Sequence, residues 1–188
     1  MKAIAALLMT ALLPAFPCQA DEALQGHIEE GKGIIQAFFG DLKGELVKSM
    51  KANGPVAAIE TCHMLAPHLA QAHSERSGWQ VGRTSLKPRN PGNAPDAWER
   101  AVLQEFEARK AAGEAPEKLM KAEVVEEKGR KLFRMMKAIP TAEVCTKCHG
   151  TEIAGPVAAR LDELYPEDQA RGFKVGDLRG AFTLKKPL

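Results

Sequence analysis

Between residues 22 and about 51 the apolar positions Leu24, Ile28, Ile34, Ile35, Phe38, Phe39, Leu42 and Leu46 return at mostly helical spacing, which predicts an N-terminal helix. Five glycines, Gly26, Gly31, Gly33, Gly40 and Gly44, weaken it by about 1 kcal/mol each relative to alanine. Asn53-Gly54-Pro55 breaks the run, and Pro55 suits the first turn of a second helix through Val56, Ile59, Cys62, Leu65 and Leu69 toward Ser77-Gly78. Residues 79–86 read as a strand. The stretch holding Pro88, Pro91, Gly92 and Pro95 cannot be regular. Asp96 offers an N-cap with Glu99 as its capping-box partner, and opens a helix through Trp98, Val102 and Phe106 to Gly113.

Residues 121–138 hold two β-leaning runs, Val124-Val125 and Leu132 to Met136, around Glu127-Lys128-Gly129-Arg130, a hairpin pattern. A short helix is expected from Gly155-Pro156 through Leu161 and Leu164. A turn at Gly176-Asp177 leads into a final strand. Helices first, then strands in the middle and at the end, predict an α+β domain rather than a four-helix cytochrome bundle.

One run changes the picture from fold to chemistry. Cys145-Thr146-Lys147-Cys148-His149 is a Cys-x-x-Cys-His motif, the spacing of a c-type haem attachment site. On a helix, positions three and four apart share a face, so both thiols and the imidazole can point at one flat group. The thiols would form thioethers and His149 would take the iron. A zinc half-site or a redox dithiol is the alternative, but closed zinc sites need about four protein ligands and the chain has no second Cys-x-x-Cys.

The N-terminus agrees with export. Lys2, an apolar run over residues 3–13, Pro14, and Cys18-Gln19-Ala20 before Asp21-Glu22 have the layout of a signal peptide cleaved after Ala20. The run is shorter than the roughly 20 residues of a membrane span. Pro17 makes lipidation of Cys18 a poor fit. The division expected is a signal peptide at 1–20 and one haem domain at 21–188, located in the periplasm without stable membrane insertion. The formal net charge of +2 falls by one with Lys2, and this near-neutral balance argues for no nucleic-acid partner. Low aromatic content, 5%, is compatible with a haem filling part of the core.

Of four cysteines, one leaves with the signal and two are consumed by thioethers, so Cys62 remains. His149 fills one axial position of a haem iron, and the other sets potential and ligand access. The candidates are Cys62, His63, Met64, His68, His73 and the other methionines. At 100° per residue Cys62 shares the stripe of Ala58, Ile59, Leu65, Ala66 and Leu69, the face expected to be buried. Met64 falls with Glu60, Thr61, His68 and Gln71 on the wet face, and His63 lies between. A buried thiol is ordinarily a small hydrophobe, but beside a haem it is a soft ligand near a soft metal. Pro67 is expected to kink the helix one turn beyond Cys62. His27, His68 and His73 read as surface histidines, and Met135 and Met136 as fillers of the core or the sheet face.

Ala58-Ile59-Glu60-Thr61-Cys62 with Ala66-Pro67, Arg83-Thr84-Ser85-Leu86-Lys87-Pro88-Arg89-Asn90-Pro91 with Asn93, Pro95, Asp96, Trp98 and Glu99, the haem motif, and Gly176-Asp177-Leu178-Arg179-Gly180-Ala181 together resemble a bacterial family of exported single-haem c-type proteins. The resemblance spans nearly the whole mature chain. It implies a PAS-like antiparallel sheet with N-terminal helices, covalent haem c through Cys145 and Cys148, His149 as proximal ligand and Cys62 as distal ligand. His63, directly beside Cys62, keeps a His/His pair open. Within the Arg-Thr-Ser-Leu block, Arg83, Lys87 or Arg89 is expected to pair with a haem propionate, against the equal alternative of a loop held by Pro and Asn turn chemistry.

Three functions follow. A redox or small-ligand sensor would lose the Cys62 bond on reduction and open a site, for a gaseous ligand among others. A simple electron carrier would keep both ligands. An enzyme ranks last, since no distal His-Arg pair is legible, and the expectation is a non-enzyme. The sequence shows no separate output domain, so sensing would pass to a signalling partner, and electrons to a redox partner protein.

Overall fold

A computed structural model describes residues 19–188. The expected signal segment lies outside the described residues apart from Gln19 and Ala20, which are helical. The long helical run α1, Gln19–Ser77, is two helices joined at Gly54, whose backbone (φ 78, ψ −175) is not helical. The sequence breaks where Asn53-Gly54-Pro55 said it would. Pro67 lies inside the second of these helices with helical backbone. The Gly54 conformation is accessible to glycine almost alone, and the proline that follows needs no amide donor at the start of the next helix.

The remaining elements are β1 (Gln80–Thr84), α2 (Ala97–Ala111), β2 (Met120–Glu127), β3 (Arg130–Pro140), α3 (Glu143–His149), α4 (Gly155–Leu164) and β4 (Leu178–Pro187). Short 3-10 turns occupy Pro91–Asn93 and Pro116–Lys118. The four strands form one antiparallel sheet in the order β1-β4-β3-β2. The β2–β3 hairpin turns through Lys128 and Gly129, both at positive φ (52 and 74), the backbone that a two-residue turn of matching twist requires. The α+β expectation stands, with an antiparallel sheet that is mixed with helices on both faces.

Period-two alternation decides which face each helix covers. Val81, Phe133, Met135, Phe182 and Leu184 point toward α1 and bury Ile35, Phe38 and Trp79 with them. Gly31 of α1 has Met135 and Leu184 where a side chain would stand, so its missing Cβ lets the helix approach the sheet. On the opposite face Met136, Ala138, Leu178 and Ala181 pack against Val102, Leu103 and Phe106 of α2. Met135 and Met136 are both fully buried, one on each face.

α2 begins with the expected capping box, Asp96 accepting from Glu99 N (2.8 Å) and Glu99 from Asp96 N (3.0 Å). Asp96 also binds Arg134 of β3 (2.7 Å), a fully buried guanidinium that bonds Glu127 (2.6 Å) and lies 4.3 Å over the Trp98 ring. Two histidines correct the surface reading. His73 is 3% exposed, packed on Phe38 and bonded to Asp41 across the two halves of α1 (2.9 Å). His27 sits against Phe133 and Trp79. A histidine carries no burial signal of its own, and both partners are distant in sequence.

Candidate functional site

The second half of α1, α3 and α4 meet beyond the end of the sheet. Ile59, Val157 and Leu161 form a third cluster that takes in Cys148, Val56, Ile153, Leu164 and Tyr165. Arg160 of α4 reaches Glu60 of α1 (2.6 Å) and closes the same contact from outside. The face carrying Cys62 therefore packs over the helix carrying Cys145, Cys148 and His149. The phase argument holds for its neighbours: Ala58, Ile59 and Ala66 are buried, Met64 is 59% exposed and His68 is exposed. Cys62 is half-buried, and His63 is exposed with its ring edge-on to Tyr165 at 5.0 Å.

α3 is a short helix whose C-terminal carbonyls are taken up partly by the loop after α4 and partly by Arg89. His149 O accepts from Phe173 N (2.9 Å), Gly150 O from Gly172 N (2.9 Å), and Cys148 O from Arg89 Nη2. The imidazole is held by the same loop, with Nδ1 2.8 Å from Ala170 O and the Phe173 ring edge-on at 6.3 Å. Burial, then Arg179 and Arg89, hold the His149 pKa well below the ordinary imidazole value, so the ring is neutral. A neutral imidazole with one nitrogen facing a carbonyl presents the other as a metal ligand.

The thiols are shifted the opposite way. Burial pushes Cys62 up, with Arg83 and Arg89 pulling against it, and burial likewise raises Cys148. Both are therefore thiols at neutral pH until something soft or electrophilic takes the sulfur. Among the described residues no three His, Cys, Asp or Glu side chains converge as a metal cage. The zinc alternative therefore lacks its remaining protein ligands there.

The basic block arrives in three different places. Arg89 is committed to the protein: its Nε bonds Asp168 (3.2 Å) and its Nη2 bonds Cys148 O and Ala170 O, so it fastens the motif helix to the following loop. Lys87 is exposed, with Nζ 5.5 Å from the centre of the Phe173 ring. Arg83 points to the α1 face of the sheet, paired in register with Phe182, its guanidinium 6.0 Å from the Phe38 ring. Burial lowers its pKa, and Cys62 and Tyr165 are its anionic-capable neighbours. Loop and turn chemistry is present beside these roles, in the Asn90 side chain accepting from Gly92 N (2.9 Å) and in Ser85 Oγ meeting Lys87 N (3.1 Å).

Sequence reasoning missed Asp168 and Arg179. Asp168, 2% exposed, gathers Arg89, Arg171 Nε (2.9 Å) and Ala170 N (2.8 Å). Arg179 lies with Nε 3.1 Å from His149 Nδ1 and Nη1 3.1 Å from Ser85 Oγ. Its position inside the quoted Gly176 to Ala181 block was the available signal. Arg83 and Arg179 pair with no carboxylate among the described residues, which leaves the site with an excess of part-buried positive charge.

A family model described as Tll0287-like matches residues 18–187. Among solved structures, that of the cyanobacterial heme-protein Tll0287 is similar over 92% of this chain and 97% of its own, at 27% sequence identity and a TM-score of 0.60. No curated protein matches the chain. No described helix is long and apolar enough to cross a membrane.

Proposed function

This chain belongs to the Tll0287-like family, and we propose that it carries one covalently attached haem c and serves in the periplasm as a redox or small-ligand sensor, without turning over a substrate. Cys145 and Cys148 would hold the porphyrin edge, with His149 and Cys62 as axial ligands. The observation that carries this reading is the state of His149: buried, neutral, one residue beyond Cys148, with Nδ1 against the Ala170 carbonyl. Likeness to a heme-protein over nearly the full length of both chains supports it.

The residues present fit the group. A haem brings two carboxylates, and Arg83 and Arg179 are part-buried cations with no carboxylate of their own among the described residues. It brings an apolar ring, and Ile59, Val157 and Leu161 surround Cys148 with apolar surface. When bound, it supplies an iron that accepts and returns one electron.

The sensing property lies in Cys62. Its surroundings disfavour the thiolate, so its sulfur stays charged only while bound to oxidised iron. When bound, the haem would supply an iron able to take an electron from a redox partner protein, and Cys62, whose thiol form its surroundings favour, would be the residue able to take a proton from solvent and leave room for a small ligand. The α1 segment bearing Cys62 is freed at the same moment, which offers a separate signalling partner a changed surface.

Optical and EPR spectra of the oxidised and reduced protein, with and without CO, test this. Rapid CO binding by the reduced form supports a labile Cys62. An inert low-spin reduced form rejects the sensor and leaves a simple electron carrier.

A further inference from the structure

We propose that Arg179 changes partner when the site is filled, releasing the His149 imidazole and taking a carboxylate of the bound haem. This deepens the haem reading and rests on it.

The argument begins with one nitrogen that has two neighbours. His149 Nδ1 lies 2.8 Å from Ala170 O and 3.1 Å from Arg179 Nε. The carbonyl only accepts and the guanidinium only donates. A bond to Ala170 needs a hydrogen on Nδ1, whereas a bond from Arg179 needs its lone pair, so the two exclude each other. Once iron holds Nε2 of a neutral ring, the ring hydrogen is on Nδ1. The Ala170 bond is then kept and the Arg179 bond is lost.

Among the described residues Arg179 has no carboxylate of its own to pair with. Nη1 retains Ser85 Oγ and Lys87 O (3.1 and 3.3 Å), both neutral acceptors. The centre of the Phe173 ring lies 5.3 Å from its Cζ. The buried carboxylate of this region, Asp168, is already shared by Arg89, Arg171 and the Ala170 amide. A part-buried guanidinium without an anion is poorly compensated, and the haem's own carboxylates would supply that anion. Planar carboxylate recognition by the Nε and Nη2 fork is what arginine does best.

The test uses the full-length haem-loaded protein and its Arg179→Gln and Arg179→Lys variants. Resonance Raman reads the propionate bending band, EPR the ferric g-values set by the axial ligands, and a redox titration the potential. R179Q is expected to shift the propionate band and move the potential lower while the g-values hold, and R179K to recover most of the potential. Shifted g-values with an unmoved band would show that Arg179 stays on His149 and overturn the proposal. No change in either would also overturn it, leaving Arg179 as a brace for the Ser85–Lys87 turn. If R179Q fails to mature, R179K alone decides, since an ammonium in place of the fork must move the band. Unsubstituted protein isolated without covalent haem would instead remove the reading beneath it.

Discussion

Single side chains divide into those whose chemistry is local and those that need the whole chain to meet. The face of α1 that carries Cys62 was legible because helical phase needs only near neighbours: Ala58, Ile59 and Ala66 are buried as that phase requires, and Met64 is exposed. Asp168 was not, because nothing near it in sequence announces that Arg89, far upstream, will bind it. Cys62→Ala is expected to abolish a thiolate low-spin EPR signature while covalent haem stays at full occupancy by mass spectrometry. An unchanged spectrum would transfer the role to His63. Asp168→Asn is expected to cost about 3–5 kcal/mol, because it strands Arg89 and Arg171 with a buried neutral partner. Urea unfolding checks this, and a loss under about 1 kcal/mol, the range of exposed pairs, would reject a buried pairing.

Elements were easier to read than their contacts. The hairpin, the Asp96 capping box and the Gly54 break all follow from short-range rules about turns, caps and permitted backbone. A proline can sit inside a helix, as Pro67 does, whereas a glycine at φ 78 and ψ −175 cannot belong to one. Gly54→Ala is expected to destabilise the protein by about 1–3 kcal/mol through backbone strain alone, since no atom lies within 4 Å of the added methyl. A melting temperature equal to that of the parent would refute it. The end of α2 is pinned by Arg134 beneath Asp96, Glu99 and Glu127. Arg134→Ala should cost about 3–5 kcal/mol, whereas Arg134→Met, which keeps the buried stem, should cost less. Chemical denaturation of both variants decides the order.

For the molecule as a whole, acid response follows from the same pairs. Burial raises the Asp96 pKa, but bonds from Arg134, Glu99 N and Lys185 outweigh it and bring the carboxyl down from 3.8 to about 2. Asp168 is lowered in the same sense, against its own burial, by Arg171 and Arg89. Both groups are more acidic folded than unfolded, so their stabilisation is present above the unfolded value and is lost as pH falls through it toward about 2. The urea midpoint should be flat above roughly pH 5 and fall below pH 4, with a shallower fall in Asp96→Asn. An identical slope in that variant would assign the acid sensitivity elsewhere. The fold class emerged from the order of element types, yet the placement of α1 and α2 on opposite faces did not. That arrangement depends on which residues of β3 and β4 alternate inward against each helix.

The position of β4 also governs the order of events in the life of the chain. It lies between β1 and β3, so Thr84 must wait for Ala181, and the sheet cannot close until residues 178–187 have been made. Pairings this distant in sequence form slowly. Until they do, the loop from Ala170 to Phe173 has no fixed frame from which to hold His149, and residues 143–149 remain accessible. If the proposed haem is fastened covalently, a late central strand would leave a window for its attachment before the protein closes around it.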